Sequence, residues 1–240
     1  MASYRVKLLE RREIAADTMA FFFEKPADYH YLAGQYFVIT LIDPPETDTE
    51  GNSRSLTIAS APHEAHLMIA IRMRNAAFKR VLKTMPLGVE VRISRALGNI
   101  VLHDDAKRPA AFLAGGIGIT PFRSIIVDVT ARKLPHHLYL VYANPRPEDT
   151  AFLDELTELA HKNKRFTFVP TMTRVEASSP SWNGERGYIT PEMLWKYIPD
   201  VAASMYSIAG PPKMVTAMLA LLDDMGINLA SIHAEEFTGY

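Results

Sequence analysis

Residues 114–121 read AGGIGITP, with glycine at three of four successive positions: Gly115, Gly116 and Gly118. Glycine lets a backbone approach a ligand closely. Thr120 and Pro121 are residue types that open a helix, threonine near the N-cap and proline in the first turn, where its missing N–H costs nothing. A turn of this kind aims backbone N–H groups and the positive end of a helix dipole at whatever lies above it, and an anionic pyrophosphate suits such a place. Taken alone, the turn is equally compatible with a tight strand-to-helix connection that binds nothing. Pro121 stands where the G-x-G-x-x-G fingerprint has its third glycine, so the loop is not that of an ordinary Rossmann site.

Other residues bear on the same chemistry. The next strand, LYLVYAN, runs into Pro145 and Arg146, whereas an NAD site of Rossmann type usually offers the ribose an acid there. Arg146, with Thr173, Arg174 and Arg186 on neighbouring loops, suits a 2′-phosphate and so leans the reading toward NADPH; an arginine in open solvent fits the position equally well. In IAGPPKM, Gly210 and Pro211 fall between a strand and a helix, at the carboxyl edge where open α/β sheets bind ligands. HEAH at 63–66 has its histidines three apart where the zinc-protease pattern needs four, so no metal site is expected. His136 and His137 follow a proline and are expected to be solvated. DPPETDTEGN is expected to be a solvated hairpin loop whose acidity needs no function, and ASSPSWNGERG a loop whose Trp182 and Arg186 can edge a ligand site.

These residues need elements to hold them. As far as Ala96 the pattern mostly alternates, through YRVKLLERREIA, TMAFFFEKP, QYFVITLI, RSLTIAS and HLMIAIRMR, which predicts short antiparallel strands in a barrel. One stretch departs from this, because Phe78, Val81, Leu82 and Met85 recur at helical spacing. From about Arg108 strands alternate with amphipathic helices, the pattern of a doubly wound parallel sheet. The expected organisation is an N-terminal six-stranded antiparallel β-barrel with one helix over 1–104 and an α/β domain over 105–240.

Lys and Arg total 26 against 27 Asp and Glu, and the formal charge of −1 gives no basic field for nucleic acid. No run reaches the ~18 apolar residues of a membrane span, and the N-terminus mixes charge into its alternation, so the expected location is the cytoplasm. The chain has no cysteine, which excludes a built-in disulfide and a cysteine-held iron–sulfur cluster.

In this order and spacing, RSLTIAS, GGIGITP, AGPP and the terminal EEFTGY, with LAGQY at 32–36 as a further echo, resemble the ferredoxin–NADP reductase-like flavoprotein family. The resemblance covers nearly the whole chain. It implies an FAD-binding barrel, an NAD(P)-binding second domain, and hydride transfer between the two cofactors at the domain interface. The family's Arg-x-Tyr-Ser/Thr motif maps onto Arg54, Ser55, Leu56 and Thr57. The implied roles are a guanidinium on the FAD pyrophosphate for Arg54 and a hydroxyl near the flavin N5 for Thr57. Leu56 departs from the tyrosine that stacks on the flavin ring in relatives.

The same resemblance places Ile71 and Arg72 along the flavin edge. It sets the helix N-terminus at Ala77, Phe78 and Lys79 on the pyrophosphate, with lysine where relatives often have serine. Gly115, Gly116, Gly118, Thr120 and Pro121 map onto the turn that meets the pyridine nucleotide. Gly210 and Pro211 match the Cys-Gly-Pro motif, except that Ala209 replaces the cysteine. Glu235 is implied to assist proton traffic, and either Phe237 or Tyr240 to cover the flavin.

The expected protein is therefore an FAD-dependent NAD(P)H oxidoreductase using NADPH or NADH, with no metal. Its reduced flavin passes single electrons to a separate ferredoxin, flavodoxin or oxygenase component. The alternative is a non-catalytic flavin- or nucleotide-binding subunit of a larger complex, a reading that Leu56 and Ala209 favour and that Thr57, Glu235 and the glycine turn oppose.

Overall fold

The computed structural model describes residues 3–178 and 181–237. Tyr240, one of the two candidate covering rings, lies outside them. The first half forms six strands, β1 (Ser3–Ala15), β2 (Thr18–Phe23), β3 (Tyr36–Leu41), β4 (Ser53–Thr57), β5 (Leu67–Arg72) and β6 (Glu90–Ser94), with helix α1 (Ala77–Thr84) between the last two. Their order is β4-β3-β6-β1-β2-β5 and every pairing is antiparallel. The sheet curls so that its edges approach: just beyond β4, Ala59 N–H donates to the Met68 carbonyl of β5 at 2.7 Å.

Strict alternation explains which side is core. Val6 and Leu8 of β1, Phe21 and Phe23 of β2, and Phe37, Ile39 and Leu41 of β3 all point inward, and α1 covers them with Phe78, Val81 and Leu82. The helical spacing read from the sequence is thus the buried face of α1.

The second half forms a six-stranded parallel sheet in the order β10-β9-β8-β7-β11-β12. Its strands are β7 (Ala110–Gly115), β8 (Leu138–Asn144), β9 (Phe166–Met172), β10 (Glu185–Arg186), β11 (Met205–Gly210) and β12 (Ile232–Glu236). The helices are α2 (Thr120–Arg132), α3 (Leu153–Lys162), α4 (Pro191–Tyr197) and α5 (Pro212–Asp224). Ala110, Phe112 and Ala114 of β7 pack toward α2 and α3, through Phe122, Ile126 and Leu156. Ala111 and Leu113 point the other way, toward Leu194 of α4 and Val215 and Leu222 of α5. A strand buried on both faces reads as a continuous apolar run, as FLAGG does.

Two local expectations change, and the glycine turn gains detail. The ASSPSWNGERG segment is not all loop, because Glu185 and Arg186 pair in parallel with Thr171 and Met172. His136 is buried, its Nε2 at 2.9 Å from the His103 carbonyl and its ring edge-on to that of His103. Helical winding after β7 begins at Gly116, in a 3-10 turn over Gly116–Ile119 that runs directly into α2. Thr120, expected near the N-cap, is the first residue of α2, directly after its N-cap Ile119, and its hydroxyl donates back to the Ile117 carbonyl at 3.1 Å.

The two halves are joined by residues 95–109. Ile100 and Leu102 of this segment pack into the α2–α3 side of the second sheet. Among the described residues no helix is long and apolar enough to cross a membrane, and no cluster of three or more potential metal ligands occurs.

Candidate functional site

A cleft of about 600 Å³ opens between the two halves. The curled sheet contributes Arg54, Ser55, Leu56 and Thr57 from β4 and Ile71 and Arg72 from β5, and α1 adds Phe78 and Lys79. From the parallel sheet come Thr120, Glu235 and Phe237. Residues nearly two hundred positions apart meet because β12 lies next to β11, with Glu235 in register with Ala209. Phe237 is fixed just past the strand by its N–H, which donates to the Gly210 carbonyl at 2.9 Å. Burial raises the pKa of the Glu235 carboxyl, so the site favours a held proton there.

The phosphate-type chemistry at one end of this cleft is already expressed. Arg54 Nη1 donates to the carbonyls of Glu50, Gly51 and Ser53, and Nη2 lies 2.9 Å from the Glu50 carboxylate and 3.4 Å from that of Asp48. The guanidinium also sits over the Phe78 ring, 5.1 Å from its centroid. Ala77, the first residue of α1, donates its N–H to Asp48 Oδ2 at 2.9 Å, and this bond is the main reason the Asp48 carboxyl titrates below its ordinary range. DPPETDTEGN is the largely exposed loop of the β3–β4 hairpin, as expected, but its acids have partners. Its Asp48 and Glu50 occupy the cation and the helix N-terminus that resemblance assigned to a pyrophosphate. Lys79 Nζ donates to the Arg72 carbonyl at 2.9 Å, and burial, followed by Arg74 and Arg54, lowers its pKa.

A second, more apolar cleft of about 590 Å³ lies along the carboxyl edge of the parallel sheet. Gly115, Gly116, Thr173 and Pro211 line it, as expected from the sequence. The two glycines are needed for different reasons, space at Gly115 and backbone conformation at Gly116. A Cβ on Gly115 would stand 2.1 Å from the Met214 sulfur, and Gly116 adopts φ +51°, where side chains are strained. Gly118 and Pro121 line neither cleft and lie buried beneath the turn, as Gly210 lies behind Pro211. A Cβ on Gly118 would meet the Ala209 carbonyl oxygen at 2.2 Å, so this glycine lets the turn sit directly on β11. Thr120, expected on the nucleotide side, faces the first cleft.

Arg146 lines neither cleft. Its Nε and Nη2 donate to the two carboxylate oxygens of Asp149 at 2.8 and 3.0 Å, and Asp149 also lies 3.5 Å from Arg72. The cations that do line the second cleft are Arg72, Arg74 and Lys213, and the first two also line the first cleft. Arg74, Lys213 and the exposed Tyr188 escaped the sequence reading. No local motif marks them, and only the fold brings the end of β5 against the parallel sheet. Trp182 and Arg186 bond within their own loop, Trp182 Nε1 to the Glu185 carbonyl and Arg186 to the Trp182 carbonyl, and line neither cleft.

A curled antiparallel sheet carrying one cleft, a doubly wound sheet carrying another, and a shared wall between them make up a two-domain architecture with adjoining clefts. Residues 112–219 match the family model for the oxidoreductase NAD-binding domain. The reductase component of propane 2-monooxygenase from Rhodococcus jostii is 26% identical over 219 residues, 89% of this chain and 57% of that protein. NADH-cytochrome b5 reductase 1 from Aspergillus terreus is 28% identical over 187 residues, covering 74% of this chain and 62% of that one. A ferredoxin NADP+ reductase from Neisseria gonorrhoeae, solved with bound FAD and NADP, superposes with a TM-score of 0.80 at 24% identity, over 98% of each chain. The chain shares the two-domain fold of this reductase, and its second half carries the oxidoreductase NAD-binding domain. It spans about three-fifths of the length of the curated relatives it matches.

Proposed function

We propose that the protein is an FAD-dependent NAD(P)H oxidoreductase that delivers electrons to a separate acceptor, with residues 1–104 as the flavin domain and 105–240 as the coenzyme domain. The observation that carries this reading is the shared wall: Arg72 and Arg74 border both clefts, so ligands seated in the two are neighbours. When bound, FAD supplies hydride acceptance from the nicotinamide and release of electrons one at a time.

The residues of the first cleft fit this group. Arg54 and the α1 N-terminus already hold carboxylates of the chain itself, which supports their role toward an anion, and a phosphate takes their place by displacing Asp48 and Glu50. Thr57, buried at the end of β4, offers a hydroxyl to the redox end of the flavin. Glu235, whose carboxyl pKa burial raises, serves proton traffic, and Phe237 supplies the covering ring. Gly115, Gly116, Thr173 and Pro211 orient the coenzyme, and the protein's contribution to rate is this orientation. Because Arg146 is neutralised by Asp149, the reading gives it no role in choosing NADPH over NADH, and both remain candidate coenzymes.

Relatives described as the reductase or electron-transfer component of an oxygenase favour an oxygenase component as acceptor; a ferredoxin or a flavodoxin is the other acceptor of this proposal, and the cytoplasm its proposed location. A non-catalytic flavin-binding subunit is the second reading. It is favoured by Leu56, which brings no π-face to the cleft, and by Ala209, which is fully buried in the core where relatives carry a thiol. Anaerobic addition of NADPH or NADH to FAD-loaded protein separates the two. Bleaching of the flavin band supports the enzyme, and a flavin that neither coenzyme reduces refutes it.

A further inference from the structure

HEAH, set aside as a metal motif, has a different use. Glu64 lies on the turn that follows β4, seven residues after Thr57, and its carboxylate pairs with Arg123 of α2, the helix that continues the glycine turn of the other domain. Arg123 is almost fully enclosed, at 6% exposure. Its Nη1 and Nη2 reach the two Glu64 oxygens at 2.5 and 3.0 Å, and Nη1 also donates to the Ala59 carbonyl at 3.0 Å. On the opposite side, Nε and Nη2 reach the two oxygens of Glu155 in α3, at 3.0 and 2.5 Å. The next residue repeats the cross-domain contact, because Ser124 Oγ donates to the Ser60 carbonyl at 2.6 Å. One helical turn further, Asp128 lies 3.6 Å from the His63 ring. One face of α2 is thus bolted to the turn at 59–64.

Both ends of this bolt lead straight into the site. Thr57 and Ala59 are separated by one residue, and Thr120, which lines the first cleft, is one helical turn ahead of Arg123. A planar guanidinium held bidentately by two carboxylates fixes angles as well as distance, which an ammonium does not. We propose that Arg123 is a positioning residue: by locking the Ala59–Glu64 turn onto α2 it sets the separation between the flavin-side residue Thr57 and the nucleotide turn at 116–120, and so the approach of nicotinamide to flavin, which rests on the oxidoreductase reading above.

Glu64→Gln cuts the cross-domain charge pair and leaves the Arg123–Glu155 pair within the α/β half. Glu155→Gln does the reverse and serves as the comparison, with Arg123→Lys as a second variant that keeps the charge and loses the fork. A misplacement of about 1 Å lowers rate by about 100-fold. E64Q and R123K are therefore expected to slow flavin bleaching at saturating coenzyme by about tenfold or more and to weaken the long-wavelength charge-transfer absorbance of stacked flavin and nicotinamide. FAD affinity should stay near that of the unaltered protein. E155Q should keep both the rate and the absorbance band. Small-angle scattering of the flavin-free protein gives a readout that needs no turnover, and E64Q should show a larger radius of gyration than E155Q. Equal effects of E64Q and E155Q on rate, band and radius would reduce Arg123 to a stabilising pair and overturn the proposal. If no variant and not even the unaltered protein bleaches, the oxidoreductase reading fails, and the scattering comparison alone then decides whether the bolt exists.

Discussion

Gly118→Ala should be among the most damaging single-methyl changes in this chain. The added Cβ would lie 2.2 Å from the Ala209 carbonyl oxygen, 2.4 Å from the Ala209 carbonyl carbon and 2.6 Å from the Gly210 nitrogen. All three atoms belong to the main chain of β11, an internal strand held between β7 and β12, so no side chain can swing aside. Overpacking of this kind costs about 1–3 kcal/mol, and a purely backbone clash belongs at the upper end. For a chain of this size about 3 kcal/mol corresponds to a fall in Tm of roughly 6–12 °C. The contact also holds the 116–119 turn against the 209–211 turn, so relief by moving them apart should weaken coenzyme binding more than flavin binding. Gly88→Ala is the matched control: its φ is +85° with nothing near the missing Cβ, so only left-handed backbone strain of about 1–2 kcal/mol applies. Thermal unfolding together with NADH and NADPH titrations tests the pair. A G118A protein as stable as G88A, with unaltered coenzyme affinity, would refute the reasoning.

Asp48→Ala should tighten binding of FAD and FMN severalfold and leave riboflavin unchanged, because only phosphate-bearing flavins compete for Arg54 and the Ala77 N–H; fluorescence quenching titrations distinguish the three. Glu235→Gln should raise Tm more at pH 8 than at pH 4. The folded pKa of Glu235 is raised by burial, so its stabilising contribution is present below the ordinary carboxylate range and is lost as pH rises through the folded value. A Tm difference constant across that window contradicts the desolvated carboxyl. Arg146→Ala should change the KM for NADH and NADPH by the same factor, since its guanidinium serves Asp149; a selective loss with NADPH would return it to a coenzyme-binding role.

Much of the architecture could be read from periodicity. Alternation to Ala96 and its replacement by strand and helix after Arg108 mark the two sheets, and Phe78, Val81 and Leu82 mark the one helix between strands. Gly115, Gly116 and Pro211 were legible because a turn at the carboxyl edge of a parallel sheet imposes residue types on itself. What escaped is set by partners distant in sequence. Nothing local to DPPETDTEGN shows that Asp48 will meet Ala77, and nothing local to HEAH shows that Glu64 will meet Arg123. Arg146 is a different case: its partner Asp149 is only three residues away, and what the sequence does not show is that the cleft is lined from β5 and α5 instead. His136 was misjudged because a histidine after a proline looks like loop, although the connecting segment 95–109 folds back and encloses it with His103.

The central claim is that the two clefts hold flavin and nicotinamide face to face for direct transfer. Single-turnover reduction of the FAD-loaded protein, followed at saturating coenzyme with deuterium placed on either face of the nicotinamide C4, measures this directly. The account predicts a primary isotope effect on flavin bleaching for one face and none for the other. Flavin that is not reduced, or reduction that is indifferent to deuterium on both faces, would contradict it.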